Sequence, residues 1–436
     1  MKERTATNRL YYGDNLGVRI CSSDKFVNYL RSFNWLPRSL WGSDDSSVGQ
    51  EDHIRVAGHE IPRFTKEYWT QGQRQAHSLH EVSYRACFKP QLPGFFIQRL
   101  TDIGDVVYDP FAGRGTTALE AALLGRRVVS NDINPLSKVL VQPRLLSPSE
   151  EDVRQRLSEI GFDTDADQRA GMDLTMFYHR QTLSEIVSLK EYLSIHNDPA
   201  DSWIRMVATN RLTGHSKGFF SVYTMPPNQA VSAEAQRRIN ERRKQVPEYR
   251  NTRQIILKKT RRLLRDLKTE QRRRLEEAAT TSAFYACDAR KTEKIKSGSV
   301  ALTVTSPPFL DVVQYAQDNW LRCWFNDLPV EKLAKRITMT RKLEEWTAVM
   351  QDVFRELYRI TTPGGWVAFE VGEVRNGTLF LDEVVAPLGV VAGFDCVAVM
   401  VNEQNFTKTA NCWGVGNNAK GTNTNRIVVF RKTGGI

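Results

Sequence analysis

The sequence predicts an α/β protein, a doubly wound and mostly parallel sheet that is interrupted by a mainly helical insertion. A strand pattern at Val106–Phe111 leads through a glycine-containing turn into a helix pattern at Thr116–Leu124, and a second strand pattern follows at Arg127–Asp132. This order of strand, turn, helix and strand is that of a β-α-β unit. Strand patterns return after residue 280, so the simplest architecture is one sheet split by about 135 mainly helical residues.

The elements after the insertion are predicted from buried runs and helical spacing. Strand patterns are found at Phe284–Cys287, Val300–Thr305, Trp366–Val371, Val397–Val401 and Ile427–Phe430. Helical patterns lie around Gln317–Asn326, Leu343–Arg359 and Phe380–Gly389. The first 70 residues are mixed in character, with a loop rich in Ser and Asp at 42–52. These transitions divide the chain into residues 1–70, 71–145, 146–280 and 281–436.

The composition limits the class of protein. Of the 436 residues, 41% are hydrophobic, which is enough for a large core and excludes a wholly disordered chain. No apolar run approaches the roughly 18 residues of a membrane span, so we expect no contact with a membrane. The six cysteines contain no CxxC pair and the seven histidines no HxxxH spacing. We therefore expect no disulfide framework, no metal site and a location in the reducing cytoplasm.

The net charge of +11 is concentrated in one segment, Arg237–Arg274, which holds 16 Lys and Arg against four acids. Leucine and isoleucine recur there at helical spacing. The segment is either a solvated helical face or a surface that contacts phosphates, since basic side chains raise affinity for a polyanion without reading its sequence. The candidate contacts are Arg237, Arg238, Arg242, Arg243, Lys258, Lys259, Arg261, Arg262 and Arg265.

A glycine motif follows the first strand pattern, in the run Tyr108–Thr117 (YDPFAGRGTT). Gly113 and Gly115 allow a tight turn and a close approach of the backbone to a ligand, beside the N-terminus of the next helix. Asp132 ends the next strand, 17 residues after Gly115, where an acid can accept hydrogen bonds from ribose hydroxyls. The third glycine of the dinucleotide fingerprint is missing, which disfavours NAD and leaves another nucleoside cofactor.

A proline motif, Ser306–Phe309 (SPPF), ends another strand pattern. The two prolines fix an extended backbone without donors, so carbonyls and the flanking Ser306 can accept hydrogen bonds from an amino group. Phe309 offers a ring for stacking. Taken alone, the motif is equally a plain proline-rich turn.

Together, the runs DPFAGRGTT, SND and TSPPF resemble the amino-methyltransferases of DNA, which transfer a methyl group from S-adenosylmethionine to an exocyclic base nitrogen. The family's FxGxG motif is matched by Phe111–Gly115, and its (D/N/S)PP(Y/F) motif by Ser306–Phe309. Serine at the first position resembles the cytosine-N4 members, whereas Asp or Asn is more usual in adenine-N6 members. The resemblance covers roughly residues 65–145 and 280–435.

The resemblance implies a seven-stranded, Rossmann-like methyltransferase sheet. Residues 71–145 would form its cofactor-binding half, 281–436 its catalytic half and 146–280 the target-recognition region. Asp288 resembles the acid that binds the adenine amino group, and 88–93 the segment that closes over the methionine end. The implied cofactor contacts are Lys89, Pro90, Asp109, Phe111, Gly113, Gly115, Thr116, Thr117, Asp132 and Asp288. The implied catalytic residues are Ser306, Pro307, Pro308 and Phe309.

The expected function is therefore methylation of cytosine N4 in double-stranded DNA. Adenine-N6 methylation is the close alternative, and an RNA methyltransferase or an inactive DNA-binding module are others. A modification enzyme of a restriction-modification system is the natural setting, and since no DNA-cleaving motif is visible, its endonuclease would be a separate chain. Asn8–Leu16 resembles the opening of members with the opposite motif order, but no SPP or DPP motif follows it, so we interpret it as a structural strand or a relic.

Overall fold

The computed structural model describes residues 19–33, 49–69, 76–84, 87–224, 230–308, 310, 318–332, 340–375, 377–403 and 424–434. The strands are β1 Gln50–Val56, β2 His59–Lys66, β3 Val106–Asp109, β4 Arg127–Asn131, β5 Ala283–Tyr285, β6 Val300–Thr305, β7 Thr361–Val371, β8 Glu373–Val374, β9 Leu379–Phe380, β10 Asp395–Glu403 and β11 Thr424–Arg431. The helices are α1 Ser23–Ser32, α2 Gln91–Leu100, α3 Thr116–Leu123, α4 Leu136–Val141, α5 Glu150–Glu159, α6 Arg180–Ile195, α7 Pro199–Arg211, α8 Ala233–Arg243, α9 Thr252–Leu264, α10 Thr269–Thr281, α11 Trp320–Phe325, α12 Leu343–Ile360 and α13 Leu381–Val391.

One large sheet organises the part of the chain that the structure describes. Its strand order is β1-β2-β10-β11-β7-β6-β3-β4-β5. The five strands from β7 to β5 are parallel, and β11 lies antiparallel between β7 and β10. The chain runs from β3 outward to β4 and β5, then returns to the other side of β3 for β6 and β7. The order therefore reverses between β3 and β6, which is where doubly wound sheets bind ligands.

The predicted α/β fold class is confirmed, and each of the seven predicted strands overlaps an observed one. The boundaries of the helices are close as well, since the predicted 343–359 is observed as Leu343–Ile360. The predicted helix around 317–326 overlaps the observed helix Trp320–Phe325, and its first residue lies outside the described residues. Buried runs bounded by turn residues are strong signals in this chain because its parallel strands are covered on both faces.

Two strands that were not predicted extend the sheet from seven to nine. β1 and β2 form a hairpin around Ala57 and Gly58, whose φ angles are 48° and 84°, and β2 lies parallel to β10. The loop expected at 42–52 overlaps the start of β1, so its predicted end is wrong. The alternation of apolar and polar side chains over 54–64 is the signal that would have revealed the hairpin.

Helices cover both faces of the sheet. On one face, α12 and α13 bury side chains such as Phe354 and Leu381 against the strands. On the other face lie α1–α3 and the helices of the insertion, α5–α10. Trp203 of α7 and Leu275 of α10 belong to the same buried cluster as Leu119 of α3. The insertion therefore continues the core of the sheet and does not form a core of its own.

Two features are absent from the described residues. Within these ranges, none of the helices has the length and apolar composition that crossing a membrane requires. The same residues bring together no group of three or more His, Cys, Asp and Glu side chains that could hold a metal ion.

The turn between β3 and α3 depends on glycine. Gly115 is the N-cap residue of α3 with a φ of 72°, and a Cβ added there would lie 2.3 Å from a methyl carbon of Val141. Gly113 has a φ of 52°, and its nearest neighbour at the Cβ position is the ring of Tyr84 at 3.4 Å. At Gly115 only glycine fits without rearrangement. A side chain there would strain the left-handed backbone and would also clash with α4.

We predict that Gly115→Ala destabilises the fold by about 3 kcal/mol or more, since backbone strain of about 1 kcal/mol adds to the clash with Val141. Urea unfolding measures this difference. Gly104→Ala is the matched control, because Gly104 has a φ of 84° but nothing within 4 Å of its Cβ position. Equal destabilisation by the two variants would contradict the role of close packing at Gly115.

Candidate functional site

A cavity opens at the carboxyl ends of β3, β4, β5 and β6, beside the reversal of the strand order. The loops after these strands form most of its wall, and α12 closes one side. The lining residues are Tyr84, Pro110, Phe111, Gly113, Asp132, Ile133, Asn134, Asp288, Ala289, Arg290, Ser306, Pro308, Trp346, Val349, Met350 and Val353. The wall is apolar along α12 and polar at the strand ends, which suits a ligand that carries both a ring and hydroxyl groups.

The buried side chain of Asn131 joins three of these strand ends. Its Nδ2 donates to the carbonyl of Pro110 after β3, at 3.3 Å, and to that of Cys287 after β5, at 3.0 Å. Its Oδ1 accepts from the main-chain N–H of Cys287 at 3.1 Å. Its own carbonyl accepts from Ala112 N at 3.0 Å. Sequence reasoning missed Asn131, since an amide before the acid looks like an ordinary last residue of a strand.

Asp132 lines the cavity and also holds the glycine loop in place. Its Oδ2 accepts from Gly113 N at 2.8 Å, and its Oδ1 from Asn134 N at 2.9 Å. Burial raises the pKa of Asp132 to about 6, against the opposing effect of these two hydrogen bonds. Each carboxylate oxygen can accept a second hydrogen bond, so the side chain can serve the loop and a ligand at once.

Six of the predicted cofactor residues do not line this cavity. Two of them, Lys89 and Pro90, lie elsewhere, and the other four, Asp109, Gly115, Thr116 and Thr117, are buried. Asp109 Oδ1 accepts from Phe111 N at 3.1 Å and from Thr305 Oγ1 at 2.6 Å, and burial raises its pKa to about 7. Thr117 Oγ1 donates to the carbonyl of Val304 at 3.0 Å. These side chains fasten the glycine loop and α3 to the end of β6.

The proline motif reaches the cavity through Ser306 and Pro308, while Pro307 is buried. Because β6 and β7 pair in parallel register, the Ser306 hydroxyl lies beside the carboxyl of Glu370 and is hydrogen-bonded to it. Trp346 of α12 donates its indole N–H to the carbonyl of Pro308 at 2.9 Å. The motif is therefore held from the neighbouring strand and from the covering helix.

Glu370 is a site residue that sequence reasoning missed. It is buried in β7 and accepts from Asn425 Nδ2 at 2.8 Å. Burial raises its pKa to about 7, against the lowering effect of the bonds from Ser306 and Asn425. An acid inside the apolar run Trp366–Val371 was the available signal, since buried acids are rare without a partner. Phe309, the last residue of the predicted catalytic motif, lies outside the described residues.

Asp288 also lines the cavity, but its carboxylate already forms an ion pair and hydrogen bonds with Arg290. Arg290 contacts Asp288 Oδ2 through a guanidinium nitrogen at 2.6 Å and Oδ1 through Nε at 3.0 Å. Oδ1 also accepts from the main-chain N–H of Arg290 at 2.9 Å. An amino group of a ligand can reach Asp288 if Arg290 shares one of these oxygens.

Lys89 and Pro90 line a second, adjoining cavity, here called the basic cleft. It lies between α9, the loop after α7 and the segment before α2, and it shares Tyr84 with the first cavity. Its cationic lining residues are Lys89, Arg114, Arg211, Lys217, Lys258, Lys259 and Arg262. Among the described residues of the lining, Glu81 is the one carboxylate.

The structure divides the nine predicted phosphate contacts. Lys258, Lys259 and Arg262 line the basic cleft, whereas Arg237, Arg238, Arg242, Arg243, Arg261 and Arg265 do not. Arg237 is paired with Asp173 at 2.8 Å and Arg261 with Glu150 at 2.7 Å. The basic side chains of 237–274 are spread over α8, α9 and α10, and acids from other parts of the chain pair with some of them.

Taken together, the sheet, its antiparallel β11 and the cavity at the switch point define a Rossmann-like α/β fold. Residues 44–140 match the family model of the N6/N4 methyltransferases, described as DNA methylase. The matched segment contains the glycine motif and Asp132, and the proline motif lies outside it.

Relatives match over short segments. The Type II methyltransferase M.MjaII of Methanocaldococcus jannaschii is 32% identical over 72 residues, 16% of this chain and 13% of that protein. The Type II methyltransferase M.BsoBI of Geobacillus stearothermophilus is 28% identical over 97 residues, 22% of this chain and 19% of that protein. The chain thus matches less than a fifth of either relative. A solved structure from Thermus thermophilus, described as a DNA modification methylase complexed with S-adenosyl-L-methionine, is 24% identical, covers 34% of this chain and 54% of that one, and has a TM-score of 0.22.

Proposed function

We propose that the chain is an S-adenosylmethionine-dependent methyltransferase that modifies cytosine N4 within a short sequence of double-stranded DNA. The observation that carries this proposal is the convergence of the glycine loop, Asp132, Asp288 and Ser306 around one cavity. The family match of 44–140 and the two Type II relatives support DNA as the substrate. We infer that the enzyme is the modification partner of an endonuclease encoded as a separate chain.

The residues around the cavity fit the cofactor. Gly113 has a φ of 52°, which residues with a side chain rarely adopt, and the absence of a Cβ lets its backbone come close to a ligand. Asp132 would accept from ribose hydroxyls, and Asp288 from the adenine amino group. The adenine ring would lie against the apolar side of α12, formed by Val349, Met350 and Val353. We assign Asp109, Gly115, Thr116 and Thr117 to the support of this loop, and Lys89 and Pro90 to its neighbouring cleft.

The base must leave the DNA helix to reach the cavity, as in other enzymes that act on a base. Ser306 Oγ and the Pro307 carbonyl would accept the hydrogens of its amino group, which favours a pyramidal nitrogen whose lone pair is free to attack. The bound cofactor supplies an electrophilic methyl group. Phe309 would stack on the flipped base, and the fixed positions of Ser306 and Pro308 provide alignment.

Glu370 extends this scheme. Its carboxylate accepts a hydrogen bond from the Ser306 hydroxyl, which leaves the Oγ lone pairs free to face the amino group. The nitrogen that gains a methyl group must lose a proton. Ser306 Oγ can take that proton as its own passes to Glu370, whose pKa of about 7 suits an acceptor at neutral pH.

The cofactor assignment predicts that Asp132→Ala weakens S-adenosylmethionine binding about tenfold to a hundredfold, because a hydrogen bond to a charged group contributes roughly 1.5–3 kcal/mol. Asp109→Asn is the matched control. It changes a buried acid of the same loop that does not line the cavity, and affinity should stay within a few-fold. Isothermal titration calorimetry measures both. Unchanged affinity in Asp132→Ala would remove Asp132 from the site.

The reaction itself is tested by mass spectrometry of nucleosides from DNA methylated with a labelled cofactor. We expect 4-methylcytosine. Ser306→Ala should lower turnover more than DNA binding, since its contact acts as the amine attacks, and Phe309→Ala should lower both because base stacking contributes roughly 1–3 kcal/mol. Label only in 6-methyladenine would establish the alternative base. Label in RNA alone, or in no nucleoside despite bound cofactor and DNA, would reject the proposed function.

The role of Glu370 predicts a pH dependence. Its carboxylate form, the proton acceptor, predominates above a pKa of about 7, so the turnover of the wild type should rise as the pH passes upward through 7. Glu370→Gln keeps an acceptor for Asn425 but cannot take a proton. Its turnover should fall about a hundredfold or more and lose this rise. A Gln variant with the wild-type profile would show that another group titrates.

A further inference from the structure

The lining of the basic cleft holds an excess of positive charge. Seven lysine and arginine side chains line it against Glu81, among the residues described. Glu81 is shared, since its carboxylate lies 3.6 Å from Lys259 Nζ, 3.4 Å from Arg265 and in contact with Arg262. Glu67, outside the lining, acts electrostatically on Lys89. Two carboxylates near seven lysine and arginine side chains leave the cleft with a net positive charge.

Two of these cations are buried. Arg211 is 9% exposed, donates to the carbonyl and Oδ1 of Asn210, and has its guanidinium 4.0 Å from the ring centre of Phe219. In the described part of the chain it forms no ion pair with a carboxylate. Lys259 is 7% exposed and donates to the carbonyl of Glu81 at 2.5 Å. Burying two cations side by side is unfavourable unless an anion joins them.

Burial and neighbouring positive charges also lower the pKa values of Lys259 and Arg211. Burial, followed by repulsion from Arg211, lowers the pKa of Lys259 to about 7. Burial, followed by the neighbouring Arg322 and Arg262, lowers the pKa of Arg211 to about 9. A cleft built around such groups favours a bound anion, because the anion would offset the desolvation that burial imposes on both.

The position of the cleft connects it to the cavity. Tyr84 lines both, and its ring lies next to the glycine loop. Arg114, between the two glycines of that loop, lines the cleft and donates to the carbonyls of Val82 and His80, at 2.9 and 3.3 Å. An anion in the cleft would therefore lie one side chain away from a base held in the cavity.

We propose that the basic cleft binds backbone phosphates of the DNA strand that carries the target base, next to the flipped nucleotide. The proposal rests on the proposed function for the identity of the anion. The proposal separates the cations of α9 into two groups. Those that line the cleft would contact the DNA strand, and their neighbours on the same helix would not. A run of phosphates suits a cleft with many cations better than a single carboxylate does.

Two adjacent arginines of α9 provide the test. Arg262 lines the cleft and pairs with Glu81, whereas Arg261 pairs with Glu150 of α5, and their side chains are 64% and 67% exposed. R262Q and R261Q thus remove the same charge from equally exposed, singly paired side chains. Fluorescence anisotropy with a labelled duplex, at several salt concentrations, measures binding without any methyl transfer.

We expect R262Q to reduce the slope of log affinity against log salt by about 1, and R261Q to reduce it much less. The double variant K258Q/R262Q should reduce the slope by about 2. These side chains are exposed, so the variants should fold, and their melting temperatures check this. Affinity for S-adenosylmethionine, measured by calorimetry, should not change.

Equal slopes for R261Q and R262Q would overturn the proposal, and so would a loss of cofactor affinity in R262Q, which would assign the cleft to the cofactor. Binding of double-stranded RNA with the affinity of the DNA duplex and the same response to R262Q would overturn the assignment to DNA. A protein that binds duplex through the cleft but methylates no nucleoside would retain this site and lose the proposed function. The two failures are therefore distinguishable.

Discussion

The site depends on the buried amide of Asn131. Each parallel strand of a doubly wound sheet ends in a loop, and nothing in the sheet's own hydrogen bonds fixes one loop relative to the next. Asn131 Nδ2 donates hydrogen bonds to the loops after β3 and β5, and its Oδ1 accepts one from the main-chain N–H of Cys287. These hydrogen bonds fix the ends of three strands relative to one another. The backbone of Asp132, the next residue, is thereby fixed as well.

Polar groups under the cavity are arranged at a cost in stability. Burial raises the pKa of Asp109, Asp132 and Glu370, each at or beside the end of a strand. A folded-state pKa above the unfolded one means that folding favours the protonated form, so stability falls as the pH rises through the window between the two values. At neutral pH these acids oppose folding, and the large cores on both faces of the sheet must offset them.

Much of the fold could be predicted from the sequence, because strands that are buried on both faces have short apolar sequences between turn residues. The hairpin of β1 and β2 was missed, since its alternating pattern lies in a segment without any chemical motif. Asp132 and Ser306 were singled out from separate motifs, and the structure places both in the lining of one cavity. Asn131 and Glu370 were not predicted, because their roles come from contacts with residues that are distant along the chain. The sequence also could not predict which basic side chains line the cleft. Arg262 does and its neighbour Arg261 does not.

The insertion has a consequence for engineering. Trp203 and Leu275 are packed in the same cluster as Leu119, so α5–α10 are not a module joined to the sheet by linkers. Transplanting this region into a related scaffold would uncover apolar surface on both pieces and leave each without part of its interior. Changes to this region should therefore be made by substitutions on the surface of the helices, with the interior left intact, and wholesale exchange of the region should yield aggregates.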